Sequence, residues 1–193
     1  MKYINAVREH FVSRPVFSIR DVKVFLNKQG PSDAYIYLLA HHLTKRGEIR
    51  RLTRGIYTFR KEAEVTGFAF SPFYYGLQDA LSFRNIWEQE TNSIIITPRR
   101  VRSGQRTIAG TKTIVRRINR RMFFGFNTIR FHDLYLPVSD VEKTLIDFIY
   151  FREPLRKDVL KTMRGQIRED VLKSYLKRTP DYVKVALNKL GFV

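Results

Sequence analysis

The side chains most able to do chemistry in this chain are cationic, and ten of them fall in one tract. Between Glu90 and Asp133 the sequence has no acidic residue. The cations of this tract are Arg99, Arg100, Arg102, Arg106, Lys112, Arg116, Arg117, Arg120, Arg121 and Arg130. Each phosphate that such a surface neutralises releases counterions, so binding should depend strongly on salt and little on base sequence. The alternatives are a solvated face that keeps the protein soluble and a surface for an acidic or nucleic-acid-bearing protein partner.

A second concentration of polar and cationic side chains lies between Ser32 and Tyr57, where a helical pattern runs directly into a hairpin pattern. Ser32 is a favoured N-cap residue, and the apolar residues that follow at helical spacing are Ile36, Leu39, Ala40 and Leu43. Gly47 is expected to end the helix because it can adopt positive φ, and two short strands flank Thr53-Arg54-Gly55. A capped amphipathic helix followed by a basic hairpin predicts the end of a winged helix-turn-helix, which places one helix in a DNA groove.

The two parts of this pattern are expected to contact DNA differently. The amino-terminal half of a recognition helix reaches base edges, whereas the basic residues beyond it hold phosphates. Groove contacts are therefore predicted for Ser32, Ala34, Tyr37 and His41. Phosphate contacts are predicted for Lys45, Arg46, Arg50, Arg51 and Arg54. Two alternatives stay open: Tyr37 or Leu38 packs against a second domain, or the helices and the hairpin have a purely structural role.

Residues that could catalyse a reaction or hold a metal do not fall into a known pattern. The sequence has no GxxxxGK, GxGxxG, GxSxG or HExxH motif. Its four histidines are scattered, and a chain without cysteine can form neither a disulfide nor a thiolate metal site. We predict neither an enzyme activity nor a cofactor or metal.

A basic metal-dependent nuclease is the enzyme that the charge favours, and it is kept as the rival hypothesis. Its site would need carboxylates on a strand, with a lysine two residues beyond one of them. Asp21-Val22-Lys23 has this spacing but falls in a predicted helix, and Asp140, Glu142 and Asp147 are spaced differently. Asp140 and Glu142 are instead expected to cap a helix, because Ser139-Asp140-Val141-Glu142 has the form of a capping box.

Helical spacing also predicts the elements that must position the groove-facing helix. A first helix is predicted from the apolar stripe of Ile4, Val7 and Phe11, and it ends before Pro15. A second helix begins after Ser18 as N-cap, has Asp21 in its first turn, and buries Ile19, Val22, Phe25 and Leu26. Together with the third helix and the hairpin, these elements define residues 1–61 as the predicted winged helix-turn-helix domain.

The rest of the chain mixes helical and strand patterns, so the predicted fold class is α+β. Residues 67–151 form a mixed α/β domain with a short helix at 74–83, strands at 93–97 and 112–118, a hairpin at 126–138, and a helix after Ser139. Residues 152–193 form a helical extension with two apolar stripes. The stripes comprise Ile167, Val171, Leu172, Tyr175 and Leu176, then Tyr182, Val185, Ala186 and Leu190.

Composition points to a polyanionic partner. The net charge is +18 with a pI near 10.4, and residues 1–61 alone hold 13 basic and 4 acidic groups, a net +9. Self-repulsion of this size is relieved by nucleic acid, or by an anionic membrane surface as second choice. No apolar run approaches the roughly 20 residues of a spanning helix, and the first residues lack a signal peptide's apolar stretch. We therefore expect a cytoplasmic protein.

Four stretches of the chain, taken in order, share the pattern of one protein family. The first stretch, residues 47–57, ends in Arg-Gly-Ile-Tyr, and the second is residues 74–81. The third is the strand at 95–97, which is followed by Pro98 and two arginines. The fourth, residues 136–147, reads Leu-Pro-Val-Ser-Asp-Val-Glu-Lys-Thr-Leu-Ile-Asp. In this order they resemble the wing hairpin, the opening helix, the basic strand end and the carboxy-terminal "pV-d-EkTLlD" stretch of the AbiE-type antitoxins. The resemblance covers most of residues 15–150.

The resemblance implies an abortive-infection antitoxin encoded beside a nucleotidyltransferase-type toxin. In that family's scheme the winged helix represses the operon and the second domain opposes the toxin. The implied partners are operator DNA and the toxin or its nucleic-acid substrate. Because winged-helix repressors often act as dimers on paired half-sites, a homodimer on the operator is expected. The Thr-Leu-Ile-Asp stretch would be a core helix without catalysis. A sequence-independent RNA-binding protein stays open as a third hypothesis.

Overall fold

Helices and strands both build the protein, which confirms the predicted α+β class. The computed structural model describes residues 2–89 and 91–192. The chain divides into two units. The first contains the residues up to Ala69 together with Thr107–Thr111, and the second contains Phe70–Arg106 and the residues from Lys112 onward. Within the described residues, no helix is both long enough and apolar enough to cross a membrane.

The first unit combines three helices with a small antiparallel sheet. Its elements are α1 (Ile4–Phe11), β1 (Phe17–Ser18), α2 (Ile19–Leu26), α3 (Asp33–Lys45), β2 (Arg50–Thr53) and β3 (Ile56–Thr58). The sheet order is β1-β3-β2. The predicted order of three helices and two strands is present, and β1 is an addition that pairs Phe17 with Tyr57.

Local chemistry explains where these helices begin and where the chain turns. At the start of α2 the Asp21 N–H donates to Ser18 Oγ at 3.1 Å, and the Ser18 N–H donates back to Asp21 Oδ2 at 2.6 Å. Gly47 follows α3 with φ of 70°, a left-handed conformation that glycine adopts without strain. The core of the unit is apolar and comprises Val7, Phe11, Phe17, Ile19, Val22, Leu26, Ile36, Leu39, Ala40, Leu43 and Ile49.

Most of the second unit is built on a six-stranded mixed sheet, although the turn end of one of its hairpins, Thr107–Thr111, belongs to the first unit. Its strands are β4 (Tyr74–Tyr75), β5 (Ser93–Thr97), β6 (Gly104–Ile108), β7 (Thr111–Arg117), β8 (Phe126–Phe131) and β9 (Leu134–Ser139), in the order β6-β7-β5-β4-β9-β8. The β5–β7 and β4–β9 pairs are parallel, whereas β4–β5 and β8–β9 are antiparallel. The helices are α4 (Leu77–Phe83), α5 (Val141–Tyr150), α6 (Lys157–Arg164), α7 (Glu169–Leu176) and α8 (Asp181–Lys189).

One prediction about the sheet was wrong, and one strand was not predicted. Tyr74 and Tyr75, expected at the start of a helix, form the central strand β4, and the helix begins only at Leu77. Both tyrosines are fully buried, so pairing with the neighbouring strands outweighs the helical spacing that follows them. Strand β6 was missed because its sequence, Gly-Gln-Arg-Thr-Ile, carries little apolar alternation and lies at the sheet edge.

The helical tail packs into the core of the second unit, but the residues that α8 buries differ from the predicted stripe. The first stripe holds, since α7 buries Leu172 and Leu176 as expected. In α8 the buried residues are Val183 and Leu187, whereas the predicted Tyr182, Val185 and Leu190 are 45%, 52% and 39% exposed. Two apolar stripes overlap on this short helix, and only packing decides which of them is buried.

A buried ion pair lies inside the second unit on successive turns of α5. Lys143 and Asp147 are both fully buried, and the Lys143 ammonium donates to Asp147 Oδ1. The Tyr74 hydroxyl donates to Asp147 Oδ2 at 2.8 Å, and the ammonium lies 5.2 Å from the ring centre of Phe124. Burial lowers the pKa of Lys143 and raises the pKa of Asp147, and the attraction between the two charges opposes both shifts.

The residues before this pair cap α5 differently from the predicted capping box. Asp140 is the N-cap: its Oδ1 accepts the Lys143 N–H at 2.7 Å, and its Oδ2 accepts the Tyr175 hydroxyl at 2.7 Å. Glu142 does not reach back to the cap, because it accepts the Arg168 backbone N–H at 2.8 Å. Burial alone would raise the pKa of Glu142, but its hydrogen bonds with Arg168 outweigh burial and lower it.

Breaking the buried pair should be far more costly than breaking an exposed one. Asp147→Ala leaves the buried ammonium of Lys143 without its opposite charge, so we expect the free energy of unfolding to fall by about 3–5 kcal/mol. Glu169→Ala removes the exposed i,i+4 partner of Lys173, and a change below about 0.5 kcal/mol is expected. Urea unfolding of the full chain measures both. Equal losses in the two variants would contradict the assigned role of the buried pair.

Candidate nucleic-acid interface

Helix α3 has one buried and one exposed face, and its start is well anchored. The Tyr35 N–H donates to Ser32 Oγ at 3.3 Å, so Ser32 is the N-cap as predicted. Asp33, in the first turn, pairs with Lys23 of α2 at 2.5 Å. The same ammonium lies 5.7 Å from the ring centre of Tyr37. The one carboxylate at this helix end is therefore neutralised, which lowers its repulsion of an approaching phosphate.

The four predicted groove residues all lie on the exposed face of α3. The stripe of Ile36, Leu39, Ala40 and Leu43 is buried, as predicted. Ser32, Ala34, Tyr37 and His41 are exposed. Tyr37 and the neighbouring Leu38 are large side chains that remain 57% and 50% exposed. This face can therefore offer a hydroxyl, a methyl group, a phenol and an imidazole to a partner.

The β2–β3 hairpin places a cation at its tip. Strand residues Arg51 and Tyr57 face each other, and Gly55 closes the turn with φ of 77°. The Gly55 carbonyl accepts the Ile19 N–H at 3.1 Å, which ties the turn to the start of α2. Arg54 is exposed, and within residues 2–89 and 91–192 its guanidinium has no partner.

Of the five cations predicted to contact phosphates, some are available for binding and others are already engaged by groups of the protein itself. Lys45 is exposed and, like Arg54, has no partner among the described residues, and Arg51 donates only to a nearby carbonyl. Arg46 Nε lies 3.2 Å from Glu48 Oε1. Arg50 is half-buried, and its guanidinium donates to the Arg60 carbonyl at 2.8 and 3.1 Å and to the Ala109 carbonyl, in the same unit, at 3.0 Å. Arg50 therefore holds the backbone of its own unit.

The cations of the predicted second basic surface lie in different surroundings. Four of its members line a single pocket in the second unit: Arg99, Arg100, Arg117 and Arg120. Arg102 and Arg106 lie together at the start of β6, and Arg121 is exposed outside the pocket. Arg116 and Arg117 are neighbours on β7, so their side chains point to opposite faces of the sheet. Arg116 forms an ion pair with Glu153. Sequence reasoning missed Asn119 and Tyr150, which line the pocket with the four arginines, because no local pattern shows which loops meet.

The carboxylates of the rival nuclease hypothesis all have structural contacts. Asp21 caps α2, Asp140 caps α5, and Asp147 binds Lys143 and Tyr74 inside the core. In the part of the chain that the structure describes, no three His, Asp or Glu side chains come together in a way that could hold a metal ion.

Comparison with protein-family models and with curated proteins gives no match for this chain.

Arg50 and Arg54, four residues apart on one hairpin, should respond differently to truncation. Arg50→Ala leaves half-buried carbonyls without their charged donor, so we expect a loss of about 2 kcal/mol in the free energy of unfolding. Arg54→Ala removes an exposed side chain without a partner, and a change within about 0.5 kcal/mol is expected. Thermal or urea unfolding monitored by circular dichroism distinguishes them, and a larger loss for Arg54→Ala would contradict these roles.

Proposed function

We propose that this protein is a DNA-binding transcriptional regulator whose first unit works as a winged helix-turn-helix. The observation that carries the proposal is the exposed face of α3. It presents Ser32, Ala34, Tyr37 and His41 to solvent, while the opposite stripe is packed against the core. A helix of 13 residues held in this way is of the size and rigidity that reads base edges in a major groove.

The cations of the first unit supply the sequence-independent part of the proposed binding. Lys45 and Arg54 are available to bind phosphates, and among the described residues Arg51 makes only one weak contact of its own. We leave Arg50 out of the proposed interface, because its guanidinium is engaged by carbonyls. The helix side chains would then determine which sequence is bound, and the hairpin would determine how tightly any duplex is held.

The antitoxin part of the proposal depends on the resemblance of residues 136–147 to the AbiE-type family. In this chain that stretch covers most of β9 and most of α5, and residues 138–147 are buried. A stretch with this burial builds the core of the second unit and offers little surface to a toxin. Opposition to a nucleotidyltransferase-type toxin would therefore use other surfaces of this unit or the nucleic acid that the toxin acts on.

Substitutions in the hairpin and in the helix should affect DNA binding in different ways. Arg54→Ala should weaken binding to all duplexes alike and lower the salt slope of log K by about 1. His41→Ala should instead reduce the preference for DNA from upstream of the gene over an unrelated duplex, because a lost base contact costs about 1–3 kcal/mol of discrimination. Fluorescence anisotropy at several salt concentrations measures both quantities.

The control for this experiment is Arg14→Ala, which removes an exposed cation in the turn after α1, outside the proposed interface. Its salt slope and its preference should equal those of the unaltered protein. Unchanged binding in both the Arg54 and the His41 variants would contradict the proposal. Equal affinity for arbitrary RNA and for the upstream DNA would favour the RNA-binding hypothesis instead.

Repression and antitoxin activity should be separable in cells. When the adjacent gene encodes a nucleotidyltransferase, its expression alone should stop growth, and co-expression of this protein should restore growth. Arg54→Ala should lose repression of a reporter placed behind the upstream DNA, yet still restore growth, because the two activities are assigned to different units. Failure of the unaltered protein to restore growth would contradict the antitoxin part and leave the DNA-binding part intact.

A further inference from the structure

The pocket of the second unit has a composition that the proposed DNA interface does not explain. Its volume is about 750 Å³, within the range of about 300–1,000 Å³ that is usual for small-molecule sites. The described residues that line it are Pro72, Pro98, Arg99, Arg100, Arg117, Ile118, Asn119, Arg120 and Tyr150. None of them is acidic, and four are arginines. The pocket is therefore suited to an anion.

The parallel pairing of β5 and β7 creates this pocket. Thr97 and Arg117, the last residues of the two strands, are register partners, and the Ile118 N–H extends the ladder by donating to the Thr97 carbonyl at 3.0 Å. The segments that follow the two strands consequently leave the sheet side by side at one edge. Crevices at the carboxyl ends of parallel strands are the usual ligand sites of open α/β sheets.

The backbone around the pocket is held in place by hydrogen bonds of its own. The buried Thr97 hydroxyl donates to the Pro72 carbonyl at 2.8 Å and accepts the Arg99 N–H at 3.2 Å. The Arg117 N–H donates to Ser103 Oγ at 2.9 Å. Asn119 Oδ1 accepts the Arg121 N–H at 2.9 Å and caps the short 3-10 helix that carries Arg120. The arginines thus project from a preorganised frame, which lowers the entropic cost of binding.

Three guanidinium groups at this pocket are not neutralised. Within residues 2–89 and 91–192, those of Arg100, Arg117 and Arg120 have neither a hydrogen bond nor an ion pair. Arg116, the neighbour of Arg117 on the strand, shows the contrast, because Glu153 neutralises it. Like charges around one pocket repel each other, and a bound anion removes this cost. Guanidinium groups match phosphate oxygens in particular, since they donate two parallel hydrogen bonds.

We infer that this pocket binds one nucleotide, taking its phosphates on the arginines and its base on the half-buried ring of Tyr150. A phosphate alone would use only the cationic part of the lining. Tyr150 and the prolines Pro72 and Pro98 add the apolar and aromatic surface on which a planar base stacks. The nucleotide can be free or can be the end of a nucleic-acid strand, since both present the same phosphates and base.

Calorimetric titration of the full chain with ATP tests the location of the site. Arg117→Gln and Arg120→Gln each remove a charged donor and should weaken binding about ten- to a hundredfold. Arg121→Gln is the matched control, because this arginine is exposed beside the pocket but does not line it. Its affinity should stay within about twofold, as should that of Arg54→Ala in the other unit. Equal losses in Arg117→Gln and Arg121→Gln, or a loss in Arg54→Ala, would overturn the assignment.

Further titrations test the ligand. Tyr150→Leu should weaken the binding of ATP but leave the binding of inorganic triphosphate unchanged, and triphosphate should bind the unaltered protein more weakly than ATP. Competition against labelled ATP identifies the source of the nucleotide, with unlabelled ATP and a single-stranded oligonucleotide carrying a 5′-phosphate as the two competitors. If the oligonucleotide displaces the labelled ATP at lower concentrations than unlabelled ATP does, the ligand is a strand end. If it requires higher concentrations, the ligand is a free nucleotide. The inference fails when neither ATP nor the oligonucleotide binds at millimolar concentration, when triphosphate binds as tightly as ATP, or when only an acidic peptide or anionic vesicles bind.

Discussion

The imbalance between carboxylates and cations constrains the whole molecule. The chain has 36 lysines and arginines but only 18 acidic residues, so one-to-one pairing leaves at least half of the cations without a partner. The position of each carboxylate therefore decides which cations support the fold and which stay available. Asp147 holds Lys143 inside the core, and Glu153 holds Arg116 beside the sheet. Because an excess of one charge repels itself, the remaining cations are most stable where a polyanion can approach them.

Each unit leaves such cations at the end of a rigid backbone element. In the first unit Arg54 lies at the tip of a hairpin whose turn is hydrogen-bonded to the start of a helix. In the second unit Arg100, Arg117 and Arg120 surround a pocket at the end of two parallel strands. A hairpin tip suits the backbone of a duplex, whereas a pocket suits a single nucleotide. The two proposed sites thus differ in the shape of the phosphate ligand that they fit.

Local chemistry made much of the first unit predictable. Capping by Ser18 and Ser32, the end of a helix at Gly47 and the buried stripe of α3 all depend on residues within a few positions of each other. The exposed face of α3 follows from the same stripe, because a helix with one buried side has the other side free. The strand at 93–97 could be predicted in the same way, from its run of β-branched residues.

The sequence by itself determined the α+β class, most element positions and the exposed face of α3, because each of these depends on short-range spacing. Only the tertiary structure decided which arginines are engaged, since Arg50 and Arg54 are alike in sequence and differ in the carbonyls that meet them. It also decided the buried side of α8 and the parallel pairing of β5 with β7, from which the arginine pocket arises. These features depend on contacts between residues far apart in the chain, and such contacts leave no local periodicity.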